Sequence, residues 1–216
     1  SPDAIPSERF AAEEFRSLFE QLTGLALPIG PAAPASGHGI YIGPGAAAQA
    51  PGIGFDASGM GEEALRIRLD GTNLVIAGGR PRGTLYGVYE FFERFCGVRF
   101  LTKDHTWFPE ASAQAAIGDL DFTYEPTFSF RWSYYKENSD HPEFATRQRI
   151  NTVATDEKLG GKTPQNLINH SFYKWINPEK FAATHPEYFA LVDGARQVTG
   201  SAGGGPQPCP SDPAVI

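Results

Sequence analysis

Apolar residues recur at helical spacing near the start of the chain. Phe15, Leu18, Phe19 and Leu22 fall at i, i+3, i+4 and i+7, which predicts a helix over Ser7–Leu22 with one buried face. Glu13, Glu14, Arg16 and Glu20 occupy the remaining positions and are expected to face water. Ser7 is a candidate N-cap and Gly24 a C-terminal stop. A Gly- and Pro-rich stretch follows, in which only Gly39–Gly43 reads as a short strand. Leu65-Arg66-Ile67-Arg68-Leu69 then alternates apolar and charged, the mark of a strand with one wet face. Beyond the turn residues Asp70–Asn73, Leu74–Ala77 is apolar on both sides and completes a hairpin. From Thr84 the period changes to 3.6. Leu85, Val88, Tyr89, Phe92, Phe95 and Cys96 share one helical face, and Gly97 ends it. Val98–Phe100 begins another strand. The order strand, strand, helix, strand predicts an α+β fold: a small sheet with helices packed on one face.

After Phe122 the texture changes, and Glu125-Pro126 reads as a hinge. It divides the chain into residues 1–125 and 126–216. Phe128–Trp132 alternates like a strand, and Arg147–Ile150 suggests a helix. Pro178–Thr184 predicts a short helix, and Phe189–Val192 with Asp193-Gly194 a strand and turn. Ser211–Ile216 resembles the opening of a helix, with Pro213 at its first position. One turn cannot sustain itself, so the expectation is the front part of a longer protein.

Composition narrows the function. Among 216 residues, 18 Lys and Arg face 25 Asp and Glu, a net charge of −7. No basic run is present, so neither nucleic acid nor an anionic membrane surface is an expected partner. No apolar run approaches the length of a membrane span. The 16 Phe, 8 Tyr and 3 Trp are enough to build a sizeable core. Cys96 and Cys209 match no metal spacing; Cys96 is expected as a buried hydrophobe, and a disulfide between the two is the lesser expectation.

Three stretches carry candidate chemistry. Gly78–Gly83 joins a strand to a helix, where backbone amides can hold a phosphate or nucleotide. It fits neither G-x-G-x-x-G nor a Walker loop. The plainer explanation is glycines chosen for positive φ and an Arg that pairs locally. Arg131-Trp132-Ser133-Tyr134-Tyr135-Lys136 combines a cation with three rings, a composition suited to stacking sugar faces and reading hydroxyls. A core strand edge explains it equally well. Asn169–Trp175 places His170 and Trp175 in a polar, aromatic loop, which can orient a hydroxyl or carboxylate or can be structural. His185 is expected to be structural, because Pro186 forbids a metal-binding helix there. No serine-nucleophile elbow and no paired carboxylates stand out.

Three segments together resemble a known family: Leu74–Glu93 with its Arg82-Gly83-Thr84-Leu85-Tyr86-Gly87 block, Gly97–Leu101, and Phe181–Gly194 with His185-Pro186-Glu187-Tyr188-Phe189-Ala190-Leu191. The first two resemble the small domain that precedes the catalytic barrel in alpha-glucuronidases and beta-N-acetylhexosaminidases. The set of three resembles bacterial glycoside-hydrolase-like proteins of unknown function. That resemblance implies an N-terminal α+β domain over 1–125, then over 126–216 the first strands of a (β/α)₈ barrel. Such a barrel needs about 250 residues, so it is incomplete here. The resemblance further implies a secreted or periplasmic protein acting on an oligosaccharide or polysaccharide, with no cofactor or metal and with its catalytic acids beyond Ile216. It gives this chain only early substrate contacts: Arg131 after the first barrel strand with Trp132 beside it, Asn151 at the start of the second, then His170 and Trp175. Open barrel strands are expected to invite self-association. The competing expectation is a non-catalytic glycan-binding or scaffolding module.

Overall fold

Alternation builds the sheet. The computed structural model describes residues 1–31, 38–70, 73–110, 117–164, 171–198, 208–209, 213 and 215. They fall into two compact units, Ser1–Thr163 and Pro164–Ile216, a division later in the chain than Glu125-Pro126. The first unit holds β1 (Gly39–Ile42), β2 (Leu65–Leu69), β3 (Asn73–Gly78) and β6 (Leu120–Tyr124) in the order β1-β3-β2-β6. β1 runs parallel to β3, and the other pairs are antiparallel. Ile67 lies opposite Ile76 on one side and Phe122 on the other. β6 was legible in the alternation of Leu120, Phe122 and Tyr124 with Asp121 and Thr123, but it lies beside the hinge and was not anticipated. The fold is α+β.

Parity divides the side chains. Leu65, Ile67, Leu74 and Ile76 face a core completed by α1 (Pro6–Thr23) and α3 (Gly83–Glu90). Phe15, Tyr86, Tyr89 and Phe92 are buried there, each contributing about 1.5–3 kcal/mol. On the other face, Tyr41, Val75 and Ala77 pack under α2 (Pro44–Ala47) and the loop carrying Ala50 and Ile53. The two longer helices therefore share one face, and a short helix with its loop covers part of the other. Farther out on that second face, Arg66 forms a two-pronged bridge to Asp121, at 2.8 and 2.7 Å.

Several elements depart from expectation. Ser7 is not a cap: its hydroxyl donates to Pro81 O at 2.6 Å, and Glu8 accepts the Ile5 amide at the helix start. Glu14 does not face water; it is buried and meets Tyr89 and Arg147. The α3 helix widens into one π-turn at Phe91–Phe95 before Gly97 (φ 76°) ends it. The strand near Val98 is β4 (Arg99–Thr102), which among the described residues pairs only with β5 (His105–Trp107), in a separate two-stranded sheet.

The expected strand at Phe128–Trp132 joins no sheet, and Asn151 begins no strand. Two short helices, α4 (Lys136–Asp140) and α5 (Pro142–Arg147), lie between those segments. The physical reason is that Asn151 stands in for a strand. Its amide donates to Arg131 O at 3.3 Å, and its side-chain oxygen accepts from Arg131 N at 2.9 Å. One residue thus supplies what a ladder of backbone pairs would.

The second unit contains α6 (Phe172–Trp175), α7 (Pro178–Phe181) and a two-residue-turn hairpin of β7 (Leu191–Val192) and β8 (Ala195–Arg196). Asn177 caps α7 by accepting the Glu179 amide at 2.8 Å. Asp193 (φ 50°) and Gly194 (φ 78°) make the turn. The His185 ring stacks on Tyr188 at 4.7 Å, and its Nδ1 lies 3.0 Å from Glu187. Most of Ser211–Ile216 lies outside the described residues. Among described residues no helix is long and apolar enough to cross a membrane.

Candidate functional site

The Gly78–Gly83 turn is occupied by the protein itself. The amides of Gly79 and Arg82 donate to Ala64 O and Glu62 O, and that of Gly83 to Glu62 O and Gly79 O. No donor of these three is left for a phosphate. Gly78, Gly79 and Gly83 are not at positive φ, as they were expected to be. They are required because the turn presses against another stretch of backbone. A Cβ on Gly79 would overlap Gly61 O, and one on Gly78 or Gly83 would overlap Ala64 O. The arginines pair locally: Arg80 with Glu8 at 2.7 Å, Arg82 with Glu63 at 2.8 Å and Glu62 at 2.9 Å.

Arg82 leads to a buried polar cluster of the first unit. Glu63, 7% exposed, accepts from Arg82 Nε at 2.8 Å and from Asn151 Nδ2 at 2.7 Å through one oxygen. Its other oxygen lies 2.6 Å from Arg131 Nη2. That last contact is an ion pair whose N–H directions miss the hydrogen-bond axis, so Nη2 is paired in charge but without a well-aimed partner. Arg131 also donates to Arg149 O (2.8 Å) and Phe128 O (2.6 Å), and its guanidinium lies 5.8 Å from the Tyr86 ring. Burial, then the nearby Glu63 charge, pushes the Tyr86 phenol up to about 12. Asn151, 1% exposed, spends its side chain on Arg131 N, Ser129 O and Glu63.

Arg131 and Asn151 are therefore brought together, by an acid that sequence reasoning passed over. Glu63 gives no local signal: Glu62-Glu63 reads as a polar pair ahead of β2, and only the tertiary fold sinks one of them. The same pattern recurs across this unit. Arg147 forks onto Glu14 at 2.9 and 3.0 Å, and Arg149 pairs with Glu90 at 2.9 Å and with Glu93. Acids from residues 1–125 meet arginines from the segment after Pro126, so that segment is keyed on by charge.

What the cluster holds is a run of rings. Phe130 and Trp132 lie 6.4 Å apart edge to face, and Trp132 and Tyr134 lie 4.3 Å apart. Phe128, Tyr134 and Tyr135 are 73%, 75% and 78% exposed. Trp175, in the second unit, is 69% exposed on α6. His170 lies outside the described residues. Among described residues no group of three or more His, Cys, Asp or Glu is placed to hold a metal, and neither cysteine forms a disulfide. Burial pushes the Cys96 thiol up to about 12.

Comparison with known families gives one match. Residues 100–216, more than half the chain, match a domain of unknown function, DUF4838. The chain belongs to the DUF4838 family. No curated protein and no solved structure matches it.

Proposed function

We propose that this chain carries the accessory domain and the early substrate-contacting segment of a carbohydrate-active glycoside hydrolase. The observation that carries the reading is the aromatic run from Phe128 to Tyr135, three of whose rings stand about three-quarters exposed on a backbone fixed from behind. Large exposed rings cost solvation unless something covers them, and the apolar face of a pyranose is a matching cover. Fixing the backbone beforehand lowers the ordering cost of binding.

In this reading Trp132 and the neighbouring tyrosines stack on the sugar, and Arg131 and Asn151 hold them in place. Trp175, exposed on α6, is taken by itself as a further substrate contact in the second unit, and the reading assigns no general acid or base to these residues. The barrel start is supported by connectivity: an extended segment, two short helices, then a return that lays Asn151 against Arg131. In this reading that path is the first β/α unit of the barrel, with neither flanking segment paired in a sheet among the described residues. The open side of that segment is the self-association surface the reading implies, and a secreted or periplasmic location goes with a polymeric substrate.

The test is a glycan array and a hydrolysis screen on the full-length protein. Binding that falls at least tenfold in Tyr134→Ala, with release of sugar, supports the proposal. Binding without turnover across many linkages favours a non-catalytic glycan-binding module. Absence of any glycan binding overturns both.

A further inference from the structure

The first helix leaves a hollow that neither the core nor the aromatic run uses. α1, the edge strand β1 and the segment 27–31 enclose a cavity of about 430 Å³. That equals roughly 14 waters at about 30 Å³ each, room for a ligand of about a dozen non-hydrogen atoms. Its walls are apolar: Ala12 and Phe15 from α1, Ile40 and Ile42 from β1, Leu27 and Ile29 from the segment between them. Ile29 is 50% and Ile40 39% exposed, so the hollow presents apolar surface to water. Arg9, Ala12, Glu13 and Arg16 also line it, at i, i+3, i+4 and i+7, which puts all four on one face of α1. The small Ala12 leaves a gap between the two arginine stems.

The charges on these walls do not cancel. Glu8 lines the cavity too, but its carboxylate is taken by Arg80 at 2.7 Å and by the Ile5 amide at 3.1 Å. One nitrogen of Arg9 donates to Ala4 O. Arg16 has no hydrogen-bond or ion-pair partner among the described residues, and Arg9 meets no carboxylate there. Two arginines against the single Glu13 leave one positive charge, in a chain whose net charge is −7.

We propose that this hollow binds a small apolar monocarboxylate, with its hydrocarbon body against Ile29 and Ile40 and its carboxylate on Arg16. A guanidinium offers a planar fork that matches a carboxylate, and one anion restores the charge balance. A sugar would find few fixed partners for its hydroxyls on these walls, so the proposal does not rest on the glycan reading.

The experiment titrates the protein with hexanoate, octanoate and decanoate below their micelle concentrations, by calorimetry and by displacement of anilinonaphthalene sulfonate fluorescence. Affinity is expected to rise about fourfold per added methylene until the cavity is full. Decanol is expected to bind at least tenfold more weakly than decanoate. Arg16→Gln should weaken decanoate about tenfold and leave decanol unchanged, a split that loss of fold would not produce. Ala12→Phe fills the gap and should abolish binding of both, whereas Tyr134→Ala should change neither. Decanol binding as tightly as decanoate, or Arg16→Gln and Ala12→Phe both binding as wild type, overturns the proposal. Loss of decanoate binding in Tyr134→Ala overturns it as well, by moving the ligand onto the exposed rings. If no carboxylate binds, the proposal falls, and self-association abolished by Ile40→Asp would then give the hollow to a second copy.

Discussion

Glu63→Gln isolates the charge that joins the two halves of the first unit. Glutamine keeps the volume and one acceptor; with that oxygen in the place of the one Arg82 Nε and Asn151 Nδ2 share, both retain a partner and the new amide nitrogen faces Arg131. The negative charge disappears, and both Arg82 and Arg131 lose the counter-ion that lies 2.8 and 2.6 Å away. Removing one member of a buried ion pair costs about 3–5 kcal/mol, because the remaining charge is left desolvated. Retained volume and Glu62 beside Arg82 argue for the lower end, about 3 kcal/mol. In a domain of this size each kcal/mol moves the thermal midpoint by about 2–4 °C, so the midpoint should fall by roughly 6–12 °C. Calorimetry and urea unfolding of the chain measure this. Glu63→Gln combined with Arg131→Gln should cost less than the sum of the single changes by about 1 kcal/mol or more. The exposed Lys136–Asp140 pair is the control, and breaking it should leave the midpoint in place. A midpoint shift for Glu63→Gln below about 2 °C, or strict additivity with Arg131, would refute the buried-node reasoning.

Gly79→Ala forces a Cβ onto Gly61 O and should destabilise at or above the upper end of the roughly 1–3 kcal/mol typical of overpacking, whereas Gly54→Ala, with open space around it, should be close to neutral in the same melts. Cys96 should resist alkylation at pH 8 in the native protein and react in urea, because burial keeps the thiol protonated; mass spectrometry of the labelled peptide decides this. Tyr86 and Tyr89 are held neutral by burial, with phenol pKa values raised in the fold. The stability they confer is full below pH 10 and is lost as pH rises toward their folded values, so Tyr86→Phe and Tyr89→Phe should each reduce the loss of stability between pH 10 and 12, read by urea unfolding across that range. Asp121 is held below 3.8 by its hydrogen bonds to Arg66. Its contribution is present above about pH 4 and fades as pH falls through the folded value, so Asp121→Asn should flatten the acid limb of the stability profile.

Much of the first unit was legible from periodicity, and the misses share a cause. Leu65–Leu69, Leu74–Ala77 and the Phe15–Leu22 face pack as their spacing requires, because burial there is decided by apolar surface alone. Spacing fails where polar groups are buried. Glu14 sits at a position that reads as solvent, yet Arg147, 133 residues later, reaches it. Phe128–Trp132 alternates like a strand but is held by the side chain and amide of Asn151 and by the Thr152 hydroxyl, which no pattern of apolar residues encodes. The glycines of the Gly78–Gly83 turn were correctly read as structural. Their reason, close approach of Gly61 and Ala64, is a tertiary fact. Of the candidate site, Arg131, Trp132 and Asn151 were legible by residue type, whereas Glu63 became visible only through its contacts.

The most direct test of the central claim is a structure of the full-length protein with the strongest glycan from the array. A pyranose stacked on Tyr134 or Trp132, over the backbone pinned by Asn151, is the predicted result. A glycan bound elsewhere, with the Phe128–Tyr135 rings sealed beneath other parts of the protein, would contradict it.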